Sequence, residues 1–315
     1  MSKDNLNQKI GKKKFPEAIM ATCCIPWKED FSLDEDMFRS LIRLTLEHTP
    51  YVYLFGTAGE GYAIQGDLYK RVVSIFADEV AKNNGFPMVG VISASLQEMH
   101  ERIETAKALG IRLFQISLPC WDIPKGEEID IFFDSLLSKH TDCKFMHYNR
   151  RLQGTVLGVE EYTRLSAAHP NLIGAKISTD SLRYVDSLMT SDLPLQWFFT
   201  TPGFALASMY SKCGLLISAA SINWDMAKRY FQAGLQKDYA ALIGYQKDLI
   251  GLVNRLVGIM PPGTHIDGAY DKLFPKMYLP EFPSRLLPPY KGADEETFMK
   301  FKEIVMEYYP NWSFA

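Results

Sequence analysis

Residues 172–177 read Leu-Ile-Gly-Ala-Lys-Ile, a short apolar run bounded by turn residues. Strands buried on both faces of a parallel sheet look like this. Seven more such runs precede residue 220: Ala18–Cys24 (AIMATCC), Tyr51–Phe55 (YVYLF), Pro87–Ile92 (PMVGVI), Leu113–Leu118 (LFQISL), Lys144–Tyr148 (KFMHY), Leu195–Thr200 (LQWFFT) and Leu215–Ala219 (LLISA). Between each pair lies a segment able to form a helix, with apolar residues at helical rather than alternating spacing. Eight strand–helix repeats predict an α/β fold, the closed (β/α)8 TIM barrel, rather than an open doubly wound sheet. An open sheet usually has fewer strands and often a GxGxxG after the first; neither that fingerprint nor GxxxxGK[ST] occurs here.

Start and stop signals support the helices. Ser32-Leu-Asp-Glu35 reads as a capping box before MFRSLIRLTLEH, and Ser95-Leu-Gln-Glu98 opens a helix that stops at Gly110. Asp180 or Ser181 can cap LRYVDSLM. After the eighth run, Trp224–Gln236 can close the barrel, Asp238–Gly258 is a long amphipathic helix, and Asp294 opens a last helix to about Tyr308. The expected organisation is a flexible tail over 1–16, the barrel over 17–236, and a C-terminal helical extension of the same domain over 237–315.

The 315 residues carry 34 Lys+Arg against 37 Asp+Glu, a formal charge of -3, with 47% hydrophobic residues. This balance excludes a disordered chain and argues against a nucleic-acid partner, whose binding surface would be basic. No apolar stretch reaches the length of a membrane span. The five cysteines form no CxxC, and four lie in or beside apolar runs, where Cys is a small hydrophobe. Lys12 to Lys14 are not followed by an apolar segment, so the N-terminus is not a secretory signal, and the expected location is cytoplasmic. The six histidines show neither HxH nor HExxH spacing, so no metal is expected.

In a TIM barrel the active site lies at the carboxyl ends of the strands. Lys176 stands near such an end, inside an otherwise apolar run. A buried ammonium is costly; losing the proton removes the cost and leaves a nucleophilic amine, whose natural electrophile is a carbonyl. The same position also suits a lysine that snorkels or pairs with an acid. Tyr148 ends the preceding strand, where a phenol can shuttle the protons that Schiff-base chemistry requires, or simply cover the barrel mouth. Gly56-Thr-Ala-Gly-Glu60 offers backbone N–H groups near a helix start, suited to a carboxylate or to a tight connection.

Together these residues resemble the dihydrodipicolinate synthase / N-acetylneuraminate lyase family of pyruvate-dependent class I aldolases. The resemblance runs from about Ala18 to Tyr308. Gly56-Thr57-Ala58-Gly59-Glu60 is similar to the family's G-[ST]-T-G-E loop, Tyr148-Asn149 to its Y-N motif, and Gly174-Ala-Lys176 to its G-[IL]-K strand; 28 residues separate Tyr148 from Lys176. Arg285-Leu-Leu-Pro-Pro289 is similar to the family's proline-containing C-terminal segment. The resemblance implies that Lys176 forms an imine with a 2-oxo acid such as pyruvate, that Tyr148 relays protons, and that Thr57 holds Tyr148 in a hydrogen-bonded chain. It implies that the N–H groups of Thr57 and Ala58, beside Gly56, bind the substrate carboxylate, with no cofactor beyond the imine. It also implies a homotetramer, or at least a dimer.

The residues that would choose the second substrate depart from the family pattern. Ala58 replaces a second hydroxyl residue, and Trp121 stands where the synthase branch has a tyrosine. Tyr148-Asn-Arg-Arg-Leu-Gln-Gly154 lacks the proline of Y-N-x-P-x-R, leaving Arg150 and Arg151 as candidates to clamp a distal carboxylate or phosphate. Thr200-Thr201-Pro-Gly203 replaces G-x-[DE], and Thr201 and Ser218 are candidate partners for substrate hydroxyls. The expected function is an aldol or retro-aldol reaction of a 2-oxo acid. The alternatives are dehydration of a 2-keto-3-deoxy sugar acid through the same imine, or a barrel that binds 2-oxo acids without turnover.

Overall fold

The structure, a computed structural model, describes residues 13–150 and 154–313. All eight expected strands form, and they close in chain order into a barrel. They are β1 Ile19–Cys23, β2 Tyr51–Leu54, β3 Phe86–Gly90, β4 Leu113–Ile116, β5 Lys144–Asn149, β6 Leu172–Ile177, β7 Gln196–Phe199 and β8 Gly214–Ile217. A helix follows each: α1 Glu35–His48, α2 Gly66–Lys82, α3 Leu96–Ala108, α4 Glu127–Leu137, α5 Val159–Ala168, α6 Leu182–Met189, α7 Thr201–Tyr210 and α8 Trp224–Gln236. Three further helices complete the described chain: α9 Tyr239–Ile259, α10 Asp267–Asp271 and α11 Glu295–Tyr308. The (β/α)8 expectation holds, and no helix among the described residues is long and apolar enough to cross a membrane.

Most caps fall where the sequence puts them. Ser95 accepts from the Glu98 N–H, Ser181 from Tyr184, Asp238 from Ala241 and Asp294 from Thr297, while Gly110 takes φ +87 just past α3. The capping box at Ser32 does not form. Asp34 directly precedes α1 and accepts from the Met37 N–H at 3.1 Å, whereas Ser32, two residues further back, donates to Asp30 at 2.6 Å.

The chain divides into two compact units: Met1–Ala18 with Val91–Leu216, and Ile19–Gly90 with Ile217–Ala315. In the first, the facing of β5 is set by its outward residues. His147 Nδ1 lies 2.9 Å from the Tyr162 hydroxyl of α5, and Asn149 donates to the Tyr184 hydroxyl of α6 at 2.6 Å. Alternation then turns Met146 and Tyr148 toward the barrel interior. β6 reaches the same facing through a bulge. Phe145 pairs with Leu172 but Met146 pairs with Gly174, so Ile173 is an extra residue. Without it, Lys176 would face the helices; with it, Lys176 pairs with Tyr148.

Of the expected tail, residues 1–12 lie outside the described residues. Lys13 and Lys14 are held at the amino ends of β6 and β7. Lys13 Nζ donates to the Leu193 carbonyl at 2.9 Å, Lys14 Nζ to that of Leu172 at 3.0 Å, and the Lys14 N–H to that of Pro194 at 2.8 Å. In the second unit the C-terminal helices belong with β1–β3: α9 packs on α8, and α11 on α9.

Candidate active site

In the first unit, Tyr148 and Lys176 are both buried, 4% and 8% exposed. Their Cα atoms are register partners on β5 and β6. The Lys176 Nζ lies 4.0 Å from the centroid of the Tyr148 ring. Among the described residues no carboxylate pairs with this amine. The arrangement is a lysine nitrogen held against a phenol ring inside the barrel wall, where the amine can reach a carbonyl carbon and the phenol can protonate the carbonyl oxygen.

The flanking residues of β5 hold that geometry. Burial pushes the His147 imidazole down to about 3, so it stays neutral and serves as a hydrogen-bond partner rather than an acid. Asn149 is 2% exposed; it donates to the Leu157 carbonyl at 2.8 Å and accepts from the Leu157 N–H at 3.1 Å. Tyr184 donates to the same carbonyl at 2.5 Å. Asn149 therefore ties down the returning end of the segment after β5. Nothing in the Tyr148-Asn149 pair marks this bracing role, because its partner Leu157 stands eight residues further along the chain.

Arg150 follows β5, half-buried and engaged with a neighbour, while Arg151 lies outside the described residues. Trp121, beyond β4, projects into solvent with 93% of its surface exposed. Thr201 is the first residue of α7. Before it, Thr200 Oγ1 donates to Ser178 Oγ at 3.5 Å.

In the second unit, Gly56 to Glu60 form a tight turn after β2. A Cβ on Gly56 would lie 2.7 Å from Cε1 of Tyr53, so only glycine fits beside that ring. Ala58 is buried with Cys24, Leu41 and Phe282. Glu60 fixes the turn from beneath. Its carboxylate is fully buried, accepts from Trp27 Nε1 at 2.8 Å and from the Leu287 N–H at 2.7 Å, and pairs with Lys272 Nζ at 2.6 Å. Lys272 also donates to the Arg285 carbonyl. Burial pulls the Lys272 ammonium below its usual value, and Glu60 opposes that pull. The Arg285–Pro289 segment thus enters as a structural brace for the turn. Ser218, just past β8, donates to Asp271 at 2.5 Å. Asp271 and Lys272 went unread in the sequence, because nothing local marks a lysine whose partner stands 212 residues earlier.

Cys23, Cys24, Cys143 and Cys213 are buried free thiols and Cys120 is exposed; burial pushes Cys23 up to about 12, so it is inert. Among the described residues no group of three or more His, Cys, Asp or Glu is placed to hold a metal ion.

A model of the dihydrodipicolinate synthetase family matches residues 15–207, more than half of the chain. The chain belongs to the dihydrodipicolinate synthetase family. It is 28% identical over 228 residues to a 4-hydroxy-tetrahydrodipicolinate synthase of Chlamydia abortus, covering 71% of this chain and 76% of that one. It is 23% identical over 240 residues to an N-acetylneuraminate lyase of Pasteurella multocida, covering 74% and 81%. Among solved structures, YagE, a prophage protein of the dihydrodipicolinic acid synthase family from E. coli K12 in complex with pyruvate, superposes with a TM-score of 0.81 at 16% identity, covering 92% of this chain and 98% of that one. At that identity the likeness shows the shared fold. Within the dihydrodipicolinate synthetase family the chain is an aldolase-type lyase. The model match contains the turn at Gly56, Tyr148 and Lys176, and stops before Ser218 and Lys272.

Proposed function

We propose that this lyase makes or breaks a carbon–carbon bond through an imine between Lys176 and the keto carbon of pyruvate or a related 2-oxo acid. The observation that carries the reading is the Lys176 amine, inside the barrel wall, 4.0 Å from the Tyr148 ring centroid, with no carboxylate partner among the described residues. The amine attacks C2 and the carbonyl oxygen leaves as water, with Tyr148 moving the protons on and off the carbinolamine. In a longer 2-oxo acid the protonated imine then accepts the electron pair of the breaking C3–C4 bond, while the C4 hydroxyl gives its proton to the Tyr148 oxygen and C4 leaves as an aldehyde. The resulting enamine is protonated at C3, and hydrolysis returns the lysine and releases the 2-oxo acid; in the synthetic direction the enamine attacks an acceptor carbonyl. Gly56, Thr57 and Ala58 are assigned to the substrate carboxylate, on the anion-binding character of a turn rich in backbone N–H. No cofactor enters this route.

Borohydride reduction with pyruvate, followed by peptide mass mapping, tests the imine. The expected result is a stable adduct on Lys176 that Lys176→Ala abolishes while the circular dichroism spectrum is kept. No adduct across several 2-oxo acids overturns the reading. Product analysis then separates the two chemistries: released pyruvate marks aldol cleavage, and a dicarbonyl product of unchanged chain length marks dehydration of a 3-deoxy sugar acid.

A further inference from the structure

We propose that Ser117 is a specificity-determining residue whose hydroxyl receives the oxygen that a 2-oxo acid carries two carbons beyond the imine carbon. The proposal rests on the imine reading of Lys176 and names what that site selects. Ser117 follows β4, is 1% exposed, and its Oγ has no hydrogen-bond partner among the described residues. The Phe114 ring lies 6.0 Å from that of Phe145 on the helix side of the sheet, so alternation turns Ser117 into the barrel. Ile116 pairs with His147, which brings the next residue, Ser117, level with Tyr148, as Tyr148 is level with Lys176. Three adjacent strands thus present a hydroxyl, a phenol and an amine at one height.

A buried hydroxyl without a partner costs about 1–3 kcal/mol, a cost that valine or alanine would avoid. A ligand oxygen removes it. The amine hangs over Tyr148, and Ser117 stands one strand spacing further on, about 4.8 Å. A 2-oxo acid bound through C2 brings an oxygen on C4 within hydrogen-bond reach across that spacing. Pyruvate has no such atom, so Ser117 acts on the longer partner alone.

The test is reductive trapping of the full-length chain with 2-oxopentanoate and with 4-hydroxy-2-oxopentanoate, counting intact and cleaved adducts and comparing half-saturation concentrations. The wild type is expected to favour the hydroxylated acid by roughly tenfold to a hundredfold. Ser117→Ala should abolish the preference while leaving 2-oxopentanoate within about twofold, and Ser117→Thr, which keeps the hydroxyl, should retain it. A preference that survives in Ser117→Ala, an absence of preference in the wild type, or an equal loss on both acids overturns the proposal while the imine stands. No adduct in the wild type with either acid or with pyruvate overturns the imine reading and this proposal with it.

Discussion

An amine in an apolar strand and a phenol on the strand before it are the two residues on which the proposed chemistry rests. The Lys176 Nζ stands 4.0 Å from the Tyr148 ring centroid, a contact with the face of the ring. Replacing Tyr148 with Phe keeps the ring and the packing and removes only the proton carrier. Imine formation, followed by the rate of reductive trapping, should slow by roughly 10² to 10⁴ with little change in the urea midpoint; an unchanged rate would remove Tyr148 from the proton transfers. These two residues were legible in the sequence because each breaks its local pattern. Ser117 was not: a serine near a strand end is commonplace, and only its missing partner singles it out. Trp121 was legible as a departure, but its exposure of 93% is set by how the chain leaves β4, which residue type does not encode.

The strands show why element boundaries read well while register does not. All eight apolar runs became strands, shifted by a few residues at most, because burial on both faces leaves a continuous apolar signature. The bulge at Ile173 leaves no such mark, since LIGAKI is equally apolar with or without an extra residue, yet it decides which way Lys176 faces. Gly174 follows the bulge in close contact with β7: an added Cβ would stand 2.3 Å from the Gln196 carbonyl oxygen, a backbone atom that cannot swing aside. Gly174→Ala should therefore push β6 away from β7 and cost about 1–3 kcal/mol in urea unfolding. Because Lys176 is two residues on, trapping with pyruvate should weaken in the protein that remains folded. Full stability and full trapping in Gly174→Ala would show that the strand can yield there without moving the amine.

Across the whole molecule, buried contacts join distant stretches of sequence, as Glu60 joins Lys272 and Leu287, and burial governs the charge state of groups scattered along the chain. His48, His100, His140, His147 and His169 all sit below the usual histidine value, burial being the largest cause in each, and His147 is pushed furthest, to about 3. The unfolded chain titrates these rings near pH 6.5. Below that pH the unfolded state holds more protons than the native state, so stability falls with acidification, by at most about 1.4 kcal/mol per pH unit for each group. The contribution is whole above about pH 7 and, for His147, is lost progressively from pH 6.5 down toward 3. Asp78, Asp142 and Asp294, held below the usual carboxylate value chiefly by side-chain hydrogen bonds, act with the same sign at lower pH. The urea midpoint at constant ionic strength should therefore drop steadily between pH 7.5 and 4.5. His147→Gln, which keeps a polar partner for the Tyr162 hydroxyl, should start lower at pH 7.5 but fall less steeply. An equal slope in the variant would exclude His147 as a source of the acid sensitivity, and a flat wild-type midpoint would show that these rings take up their protons without unfolding.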